Sequence, residues 1–241
     1  MQFLEYIELD GNCYYDTGLS ANTGTRVEMT FTPMSGYSGE YYFGAMPEGW
    51  NTPSSRTGKL ALGRGGNNTQ YYPIFGGYGS RKGSLVSGVT DFITLDRFYF
   101  TDNRVKDRIT GMAYDSTTYE TMYIGACNCP EFSAATTGYT AYRAGWGHYG
   151  EVKIYYGYSG DTELVGDFIP AEDPQYGVGF YDSVNNRFLE NIGTGIPVAG
   201  PAISGPLFGE SAITQMMINS EDVKEIYLGD KPIYYYPAPL I

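Results

Sequence analysis

The chain has few basic side chains. It carries 15 Lys and Arg residues against 27 Asp and Glu residues, which gives a formal net charge of −12 at pH 7. Proteins that bind DNA, RNA or anionic membranes neutralise phosphates with clusters of Lys and Arg. The composition therefore excludes nucleic acid as an expected partner.

A long apolar run and an export signal are also missing. Met1-Gln-Phe-Leu-Glu-Tyr leads directly into a strand-like pattern, without a basic head or an apolar stretch of useful length. No segment approaches the roughly 20 apolar residues that span a bilayer. We therefore expect no membrane insertion, and we expect the chain to be made and folded in a cytoplasm.

Histidine and cysteine are scarce, which limits catalytic and metal chemistry. A nucleophilic triad needs a base beside Ser or Cys, and the only histidine is His148. With Cys13, Cys127 and Cys129 it makes a Cys₃His set by number, but the spacing is not that of a zinc ribbon or finger. Buried, reduced thiols are favoured, so we predict no catalytic residue and no metal ligand.

Calcium is harder to decide from the sequence. Asp161, Asp173, Asp182 and Asn185 offer oxygen atoms in segments that read as loops. None of these loops has the regular ligand spacing of a known calcium motif. A solvated acidic rim explains these residues at least as well, and we predict no cofactor.

Glycine and tyrosine are abundant instead, with 33 and 25 residues. Many short strand-like segments between Gly-rich turns, with few helix formers, predict an all-β protein. The clearest strand begins at Arg26, where Val27, Met29 and Phe31 alternate with polar residues and are expected to face the core.

Residues 150–195 predict two β-hairpins. Val152, Ile154 and Tyr156 alternate with other residues as in a strand with one buried face. Pro170 is expected to end the return strand, because proline cannot donate to a ladder. Asn185-Asn186 tolerates the positive φ of a tight turn.

Several segments carry a resemblance to a known family. From the carboxyl end of this block back to the amino terminus they are Gly193-Thr-Gly, Gly177-Val-Gly-Phe-Tyr-Asp, Glu163-Leu-Val-Gly-Asp-Phe-Ile-Pro, Lys153-Ile-Tyr-Tyr, Met122-Tyr-Ile-Gly-Ala, Gly11-Asn-Cys-Tyr-Tyr-Asp-Thr-Gly and Leu4-Glu-Tyr-Ile-Glu. They resemble the concanavalin A-like (laminin-G-like) jelly-roll domain of gut-bacterial and phage structural proteins. The resemblance implies an antiparallel jelly-roll β-sandwich over residues 1–200. The family binds many ligands, so the fold does not determine the function.

The chain continues beyond the sandwich. Residues 201–210 are rich in Pro and Gly and predict a linker. Residues 211–241 predict a small C-terminal β appendage, and its stretch from Asn219 to Tyr234 resembles a phage-type C-terminal module. The apolar side chains expected to dock this hairpin are Ile226, Leu228, Ile233, Tyr234 and Tyr236. Docking on its own sandwich, or on a neighbouring subunit or virion protein, both stay open.

Aromatic side chains in Gly-rich segments are the candidates for ligand binding. Sugars are held by aromatic faces and planar polar groups, and loops on a rigid sandwich are common binding positions. The residues predicted to bind a glycan, all interpreted as loop residues, are Trp50, Tyr78, Trp146 and Tyr149.

An enzyme is the less favoured interpretation. Jelly-roll glucanases need two carboxylates that flank the scissile bond. Glu8-Leu-Asp10 is a partial echo of such a set, but Cys13 stands where the next acid is needed. Turn chemistry explains Glu8 and Asp10 better.

We therefore predict a non-enzymatic phage virion protein: a capsid decoration protein, head fibre or tail adhesin that displays a lectin-like sandwich to host glycans. Its expected partners are other virion proteins of the capsid or tail, further copies of itself and a host surface glycan. The alternative is a carbohydrate-binding module or adhesin at the bacterial cell surface, and a glycan-cleaving enzyme comes third.

Overall fold

The structure is a computed structural model. It describes residues 1–34, 40–47, 58–65, 69–76, 78–79, 81–103, 106–108, 117, 120–129, 141–142, 144–157 and 162–203, followed by short strands described by their backbone between 207 and 235. The chain divides into two compact units, Met1–Gly200 and Pro201–Ile241.

The first unit is built from short strands, which in chain order are β1 (Gln2–Phe3), β2 (Ile7–Asp10), β3 (Tyr15–Ser20), β4 (Arg26–Pro33), β5 (Tyr41–Ala45), β6 (Lys59–Arg64), β7 (Tyr71–Gly76), β8 (Tyr78–Gly79), β9 (Asp91–Leu95), β10 (Tyr99–Thr101), β11 (Lys106–Arg108), β12 (Thr121–Ile124), β13 (Cys127–Asn128), β14 (Ala141–Tyr142), β15 (Trp146–Tyr156), β16 (Glu163–Asp173), β17 (Gly177–Asp182), β18 (Arg187–Leu189) and β19 (Val198–Ala199). In the part of the chain that the structure describes, no helix is long and apolar enough to cross a bilayer.

These strands form two sheets. Within the described residues, the large sheet has eleven strands in the order β11-β10-β9-β4-β15-β16-β17-β18, with β1 on β16, β2 on β15 and β19 on β2. The small sheet has eight, in the order β14-β13-β5-β6-β7-β8, with β12 joining β5 to β3. The named strands pair antiparallel, except for β13 on β5. The predicted all-β, antiparallel jelly-roll sandwich is confirmed.

The core lies between the two sheets. Val27, Met29 and Phe31 of β4 are buried, as their alternation predicts. The ring of Phe31 meets Tyr42 of the small sheet at a centroid distance of 4.4 Å. Because the two rings come from different sheets, this contact shows the layers interlocking, as in other close-packed sandwiches.

The prediction that Pro170 ends its strand is wrong. Pro170 lies inside β16 and pairs with Phe180 of β17. On its other side the neighbour of β16 changes from β15, whose pairing ends at Phe168, to β1, whose pairing begins at Ala171. The nitrogen of Pro170, which has no N–H, lies on the side where β16 passes from one neighbouring strand to the other. Because the hydrogen-bond ladder is interrupted at this point, the loss of one donor is tolerated.

Within its described residues, the second unit contains three separate two-stranded pairs: β20 (Leu207–Phe208) with β21 (Ser211–Ala212), β22 (Met217–Ile218) with β23 (Glu221–Asp222), and β24 (Glu225–Leu228) with β25 (Lys231–Tyr235). The last pair is the hairpin that the sequence predicts. Strand β20 lies in the segment predicted to be only a linker, so regular structure begins earlier than expected.

Candidate functional site

Three of the four predicted ligand-binding aromatics lie on strands instead of loops. Tyr78 belongs to β8, and Trp146 and Tyr149 both belong to β15. Tyr149 is fully buried, its ring lies 4.8 Å from that of Phe31, and its hydroxyl donates to the carbonyl of Gly145 at 3.1 Å. Burial raises the pKa of Tyr149 well above its usual value. The prediction that Tyr149 offers its ring to a ligand from an exposed loop is wrong, because it is a core residue.

The other predicted residues are less completely described. Trp50 lies outside the described residues, and Tyr78 is in β8 but its side chain is not described. The side chains of the predicted docking residues Ile226, Leu228, Ile233 and Tyr234 are not described, and Tyr236 lies outside the described residues. Their binding and docking roles therefore stay predictions.

The outer face of the large sheet, the one turned away from the core, carries a groove of about 430 Å³. We call it the outer groove. It is lined by Glu5, Tyr6, Thr30, Thr32, Met34, Gly88, Thr90, His148 and Gly150. The segment before β2, strand β4, the turn before β9 and strand β15 all contribute, so segments far apart in sequence meet here.

One wall of the outer groove is a pair of stacked rings. The rings of Tyr6 and His148 lie 4.2 Å apart between centroids and are almost parallel, at 3°. His148 is next to Glu8 of β2 in the sheet, and its Nε2 lies 3.6 Å from a carboxylate oxygen of Glu8. The backbone of Tyr6 is held by Gly200, whose N–H donates to the Tyr6 carbonyl at 3.1 Å. The Tyr6 segment, near the amino end of the sandwich unit, is thus tied to Gly200 at its carboxyl end, and His148 is held in the sheet beside Glu8.

Beside these rings, the outer groove is lined by threonine hydroxyl groups. Thr32 is the register partner of His148, and its Oγ1 is hydrogen-bonded to Oγ1 of Thr90 at 2.7 Å. Asn103 holds this segment in place, because its amide donates to the Thr90 carbonyl and its side-chain oxygen accepts from the N–H of Phe92. Hydroxyls fixed in this way are suited to hydrogen bonding with a polar ligand.

Met34 and Gly150 shape the end and the floor of the outer groove. Arg64, nearly fully buried, donates from its guanidinium to the Met34 carbonyl, and the Met34 N–H donates to the carbonyl of Trp146. At Gly150 an added Cβ would lie 2.9 Å from Cβ of Thr30. A side chain at this position would push into the floor, so glycine keeps the groove open.

Exposed aromatic rings flank this groove. Phe92 follows Thr90 by two residues on the same face, pairs with Thr30 and is 51% exposed. Trp146 precedes His148 by two residues on the same face of β15 and is 36% exposed. The structure therefore places one of the sequence candidates, Trp146, beside the groove.

A smaller cavity of about 160 Å³ lies at the other end of β4 and includes Arg26 and Arg97. Arg26 is already engaged, since it lies 3.2 Å from Glu28 and its guanidinium stands 4.2 Å above the ring of Tyr155. Arg97 also has interactions within the protein. The outer groove is the larger of the two, and we take it as the candidate site.

The partial carboxylate set at Glu8 and Asp10 is engaged in local structure. Asp10 accepts from the N–H of Asn12 at 2.9 Å and from Sγ of Cys13 at 3.4 Å. Glu8 lies inside β2 and next to His148, so the turn role expected for Glu8 is wrong. The turn role expected for Asp10 is confirmed.

The three cysteines and Asp182, one of the candidate oxygen ligands, are buried in the sandwich unit. All three cysteines are buried and free, as expected. Burial, followed by the charge of Asp10, raises the pKa of Cys13 to about 12, so its thiol is a poor nucleophile. Asp182 is fully buried and accepts from Arg187 and Asn185. No group of three or more His, Cys, Asp or Glu residues suited to a metal ion occurs among the residues that are described.

Tyr6, Thr32 and Thr90 were missed by sequence reasoning. The available signal was the alternation of β4, which predicts that Thr30 and Thr32 face outward opposite to Met29 and Phe31. The pairing of β4 with β15 and of β2 with β15 is not visible in the sequence, and it is this pairing that assembles the groove.

No known family model matches the chain, and no curated protein sequence matches it either. Among solved structures, it is similar to a "putative carbohydrate binding protein" from Bacteroides ovatus ATCC 8483, with a TM-score of 0.50 and 11% sequence identity. The match covers 85% of this chain and 62% of that one, so this chain spans less than two thirds of that protein's length. At this identity the similarity shows the fold.

Proposed function

We propose that this protein binds carbohydrate, without enzymatic turnover, and that the outer groove is its sugar site. The observation that carries the proposal is the stacked pair of Tyr6 and His148 beside hydrogen-bonded threonine hydroxyls in a groove of about 430 Å³. Small-molecule sites are typically about 300–1,000 Å³ and combine apolar walls with a few placed polar groups.

The chemistry of the groove lining fits a sugar ring. A pyranose has apolar C–H faces and a rim of hydroxyls. Aromatic side chains such as Tyr6 can pack against the C–H face, and Thr32, Thr90 and the carboxylate of Glu5 can exchange hydrogen bonds with the hydroxyls. Phe92 and Trp146 add exposed rings where a longer glycan would leave the groove.

The similarity in fold supports the proposal. The Bacteroides ovatus protein is named for carbohydrate binding, and its fold resembles that of this sandwich. That name describes the other protein. For this chain, carbohydrate binding is proposed from the residues of the outer groove.

Where the protein acts is a finer proposal. We keep the phage virion as the setting, with other virion proteins as partners through the C-terminal unit, because three β pairs follow the sandwich as a separate unit. A bacterial cell-surface adhesin is the alternative. Virion head or tail genes beside the native gene would favour the first, and an upstream signal sequence would favour the second.

The sugar site is tested by glycan-array screening of the full chain, followed by calorimetry on the best glycan. We expect Tyr6→Ala and His148→Ala each to weaken binding about tenfold or more, because each removes one ring of the stack. Trp146→Ala is expected to weaken binding of longer glycans. Tyr176→Ala is the matched control, since Tyr176 is 44% exposed and stacks on Phe188, outside the residues that line the groove.

An array without binding would contradict carbohydrate binding. Binding that survives Tyr6→Ala and His148→Ala unchanged, in folded variants, would contradict this site. Turnover of a bound polysaccharide, lost in Glu8→Gln or Asp10→Asn, would contradict the non-enzymatic proposal.

A further inference from the structure

Among the described residues, the charge that lines the outer groove is negative. Glu5 is an exposed carboxylate in the lining, and the described lining residues include no Lys or Arg. The carboxylate of Glu8, 38% exposed, lies behind His148. His148 is the sole imidazole in the sequence, and it is cationic only when it is protonated.

A buried cation, Arg64, supports one end of the groove from inside. Arg64 donates from Nε to the hydroxyl of Tyr42 and from Nη2 to the Met34 carbonyl. Its side chain is 4% exposed and has Glu40 at 3.5 Å. The charge of Arg64 is therefore engaged by groups inside the protein.

The local carboxylates matter more than the overall net charge of −12. At physiological ionic strength, charges more than about 8 Å apart are largely screened by salt. A charged substituent on a bound sugar would therefore interact chiefly with Glu5, which lines the groove, and then with Glu8 behind the ring wall.

We infer that the outer groove selects sugars that carry a protonated amine over sugars that carry a carboxylate. An ammonium group, as in a glucosamine unit, can pair with Glu5, whereas a uronic acid would bring its carboxylate against Glu5 and Glu8. The neutral hydroxyls of Thr32 and Thr90 remain available to either sugar. This inference rests on the proposed function, and it specifies the class of sugar.

The test compares tetrasaccharides of glucosamine, glucose and glucuronic acid by calorimetry on the full chain at low salt. We expect glucosamine to bind about threefold to fivefold more tightly than glucose, which is the range of an exposed ion pair, and glucuronic acid to bind more weakly by a similar factor. Added salt should reduce both differences.

Single substitutions test whether Glu5 causes the preference for glucosamine. Glu5→Gln is expected to reduce the preference for glucosamine, whereas Glu190→Gln, which removes the same charge from an exposed position outside the groove lining, is expected to leave it unchanged. Tyr6→Ala is expected to weaken all three ligands together.

The outcomes separate the two proposals. Binding of glucose with no preference for glucosamine, or a preference that survives Glu5→Gln, would overturn the inference and leave the sugar site intact. Glucosamine binding that is unaffected by Tyr6→Ala would mean that the amine is held elsewhere on the acidic surface, which also overturns it. If none of the three ligands binds and a glycan array is empty as well, the proposed function fails with it.

Discussion

At the scale of single residues, Asp167 is a charged group whose surroundings oppose its charge. It lies on the outer face of the large sheet beside Lys153, is almost fully buried and accepts a hydrogen bond from Ser183 at 2.9 Å. Burial, and next the carboxylate of Glu151, raise the pKa of Asp167 above its usual value, while Ser183 and Lys153 act in the opposite direction.

A raised pKa has a definite sign for stability. The folded state binds the proton of Asp167 more tightly than the unfolded state, whose Asp pKa is about 3.9. The stability contributed by this group is therefore fully present below that pH and is lost as the pH rises through the folded-state pKa. At neutral pH, ionised Asp167 lowers the free energy of unfolding.

We expect Asp167→Asn to raise the melting temperature at pH 7 by about 2–4 °C, since a gain of about 1 kcal/mol has this effect in a domain of this size. The amide oxygen can still accept from Ser183. The gain should shrink as the pH falls through the folded-state pKa and should be absent below about 4, in thermal unfolding followed by circular dichroism. Glu190→Gln is the control for removing an exposed charge. A difference between Asp167→Asn and the natural chain that does not change with pH would contradict this account.

At the scale of elements, β1 shows how a very short strand can matter. It has two residues, and Phe3 pairs with Ala171 of β16 and packs against the ring of Tyr181 at 6.0 Å. Tyr181 and Ile169 point outward from the large sheet but are almost fully buried. The amino-terminal segment thus shelters apolar side chains on the outer face of the large sheet.

We expect Phe3→Ala to lower the free energy of unfolding by about 1–2 kcal/mol, less than for a fully buried Phe because Phe3 is partly exposed. Urea unfolding would measure it. Phe98→Ala, at an exposed ring elsewhere on the unit, should change the midpoint less. Equal effects of the two substitutions would show that β1 does not shelter Tyr181.

The start of β15 explains why part of the site was missed. Its sequence Trp-Gly-His-Tyr-Gly is rich in glycine, which favours a loop interpretation. In the structure, an added Cβ at Gly147 would lie 2.4 Å from the ring of Phe31, so this glycine makes room for an aromatic side chain inside a strand. Packing from another strand decided the conformation, and local sequence could not show it. The alternation in β4 needed no such information and was predicted correctly.

At the scale of the whole molecule, the sandwich unit contains its own core and its own groove. The described core residues and the paired strands β1 to β19 all precede Gly200 in the chain. The last described residue that lines the groove is Gly150. The groove could not be predicted from sequence, because Tyr6, Thr32, Thr90 and His148 become neighbours only when three separate strand pairings form.

We expect a chain that ends at Ile203 to fold, to melt within about 2 °C of the full chain and to bind the same glycan, because it keeps the whole core and the hydrogen bond from Gly200 to Tyr6. In the native particle, the same truncation should abolish incorporation if the second unit is the docking arm. Thermal unfolding, calorimetry and analysis of purified particles provide the measurements. Normal incorporation would contradict the docking role, and loss of folding would contradict the independence of the sandwich.

The hydrogen bond from Gly200 to Tyr6 also has a mechanical meaning. Gly200 is the last residue of the sandwich unit, and Tyr6 is one of the two rings in the wall of the groove. A pull on the carboxyl end of the chain loads Gly200, then β19 and its pairing with Ile7 and Glu8 of β2. If the protein is anchored by its C-terminal unit while a glycan occupies the groove, tension passes through the segment that contains Tyr6. Ligand binding and mechanical load would then act on the same few residues.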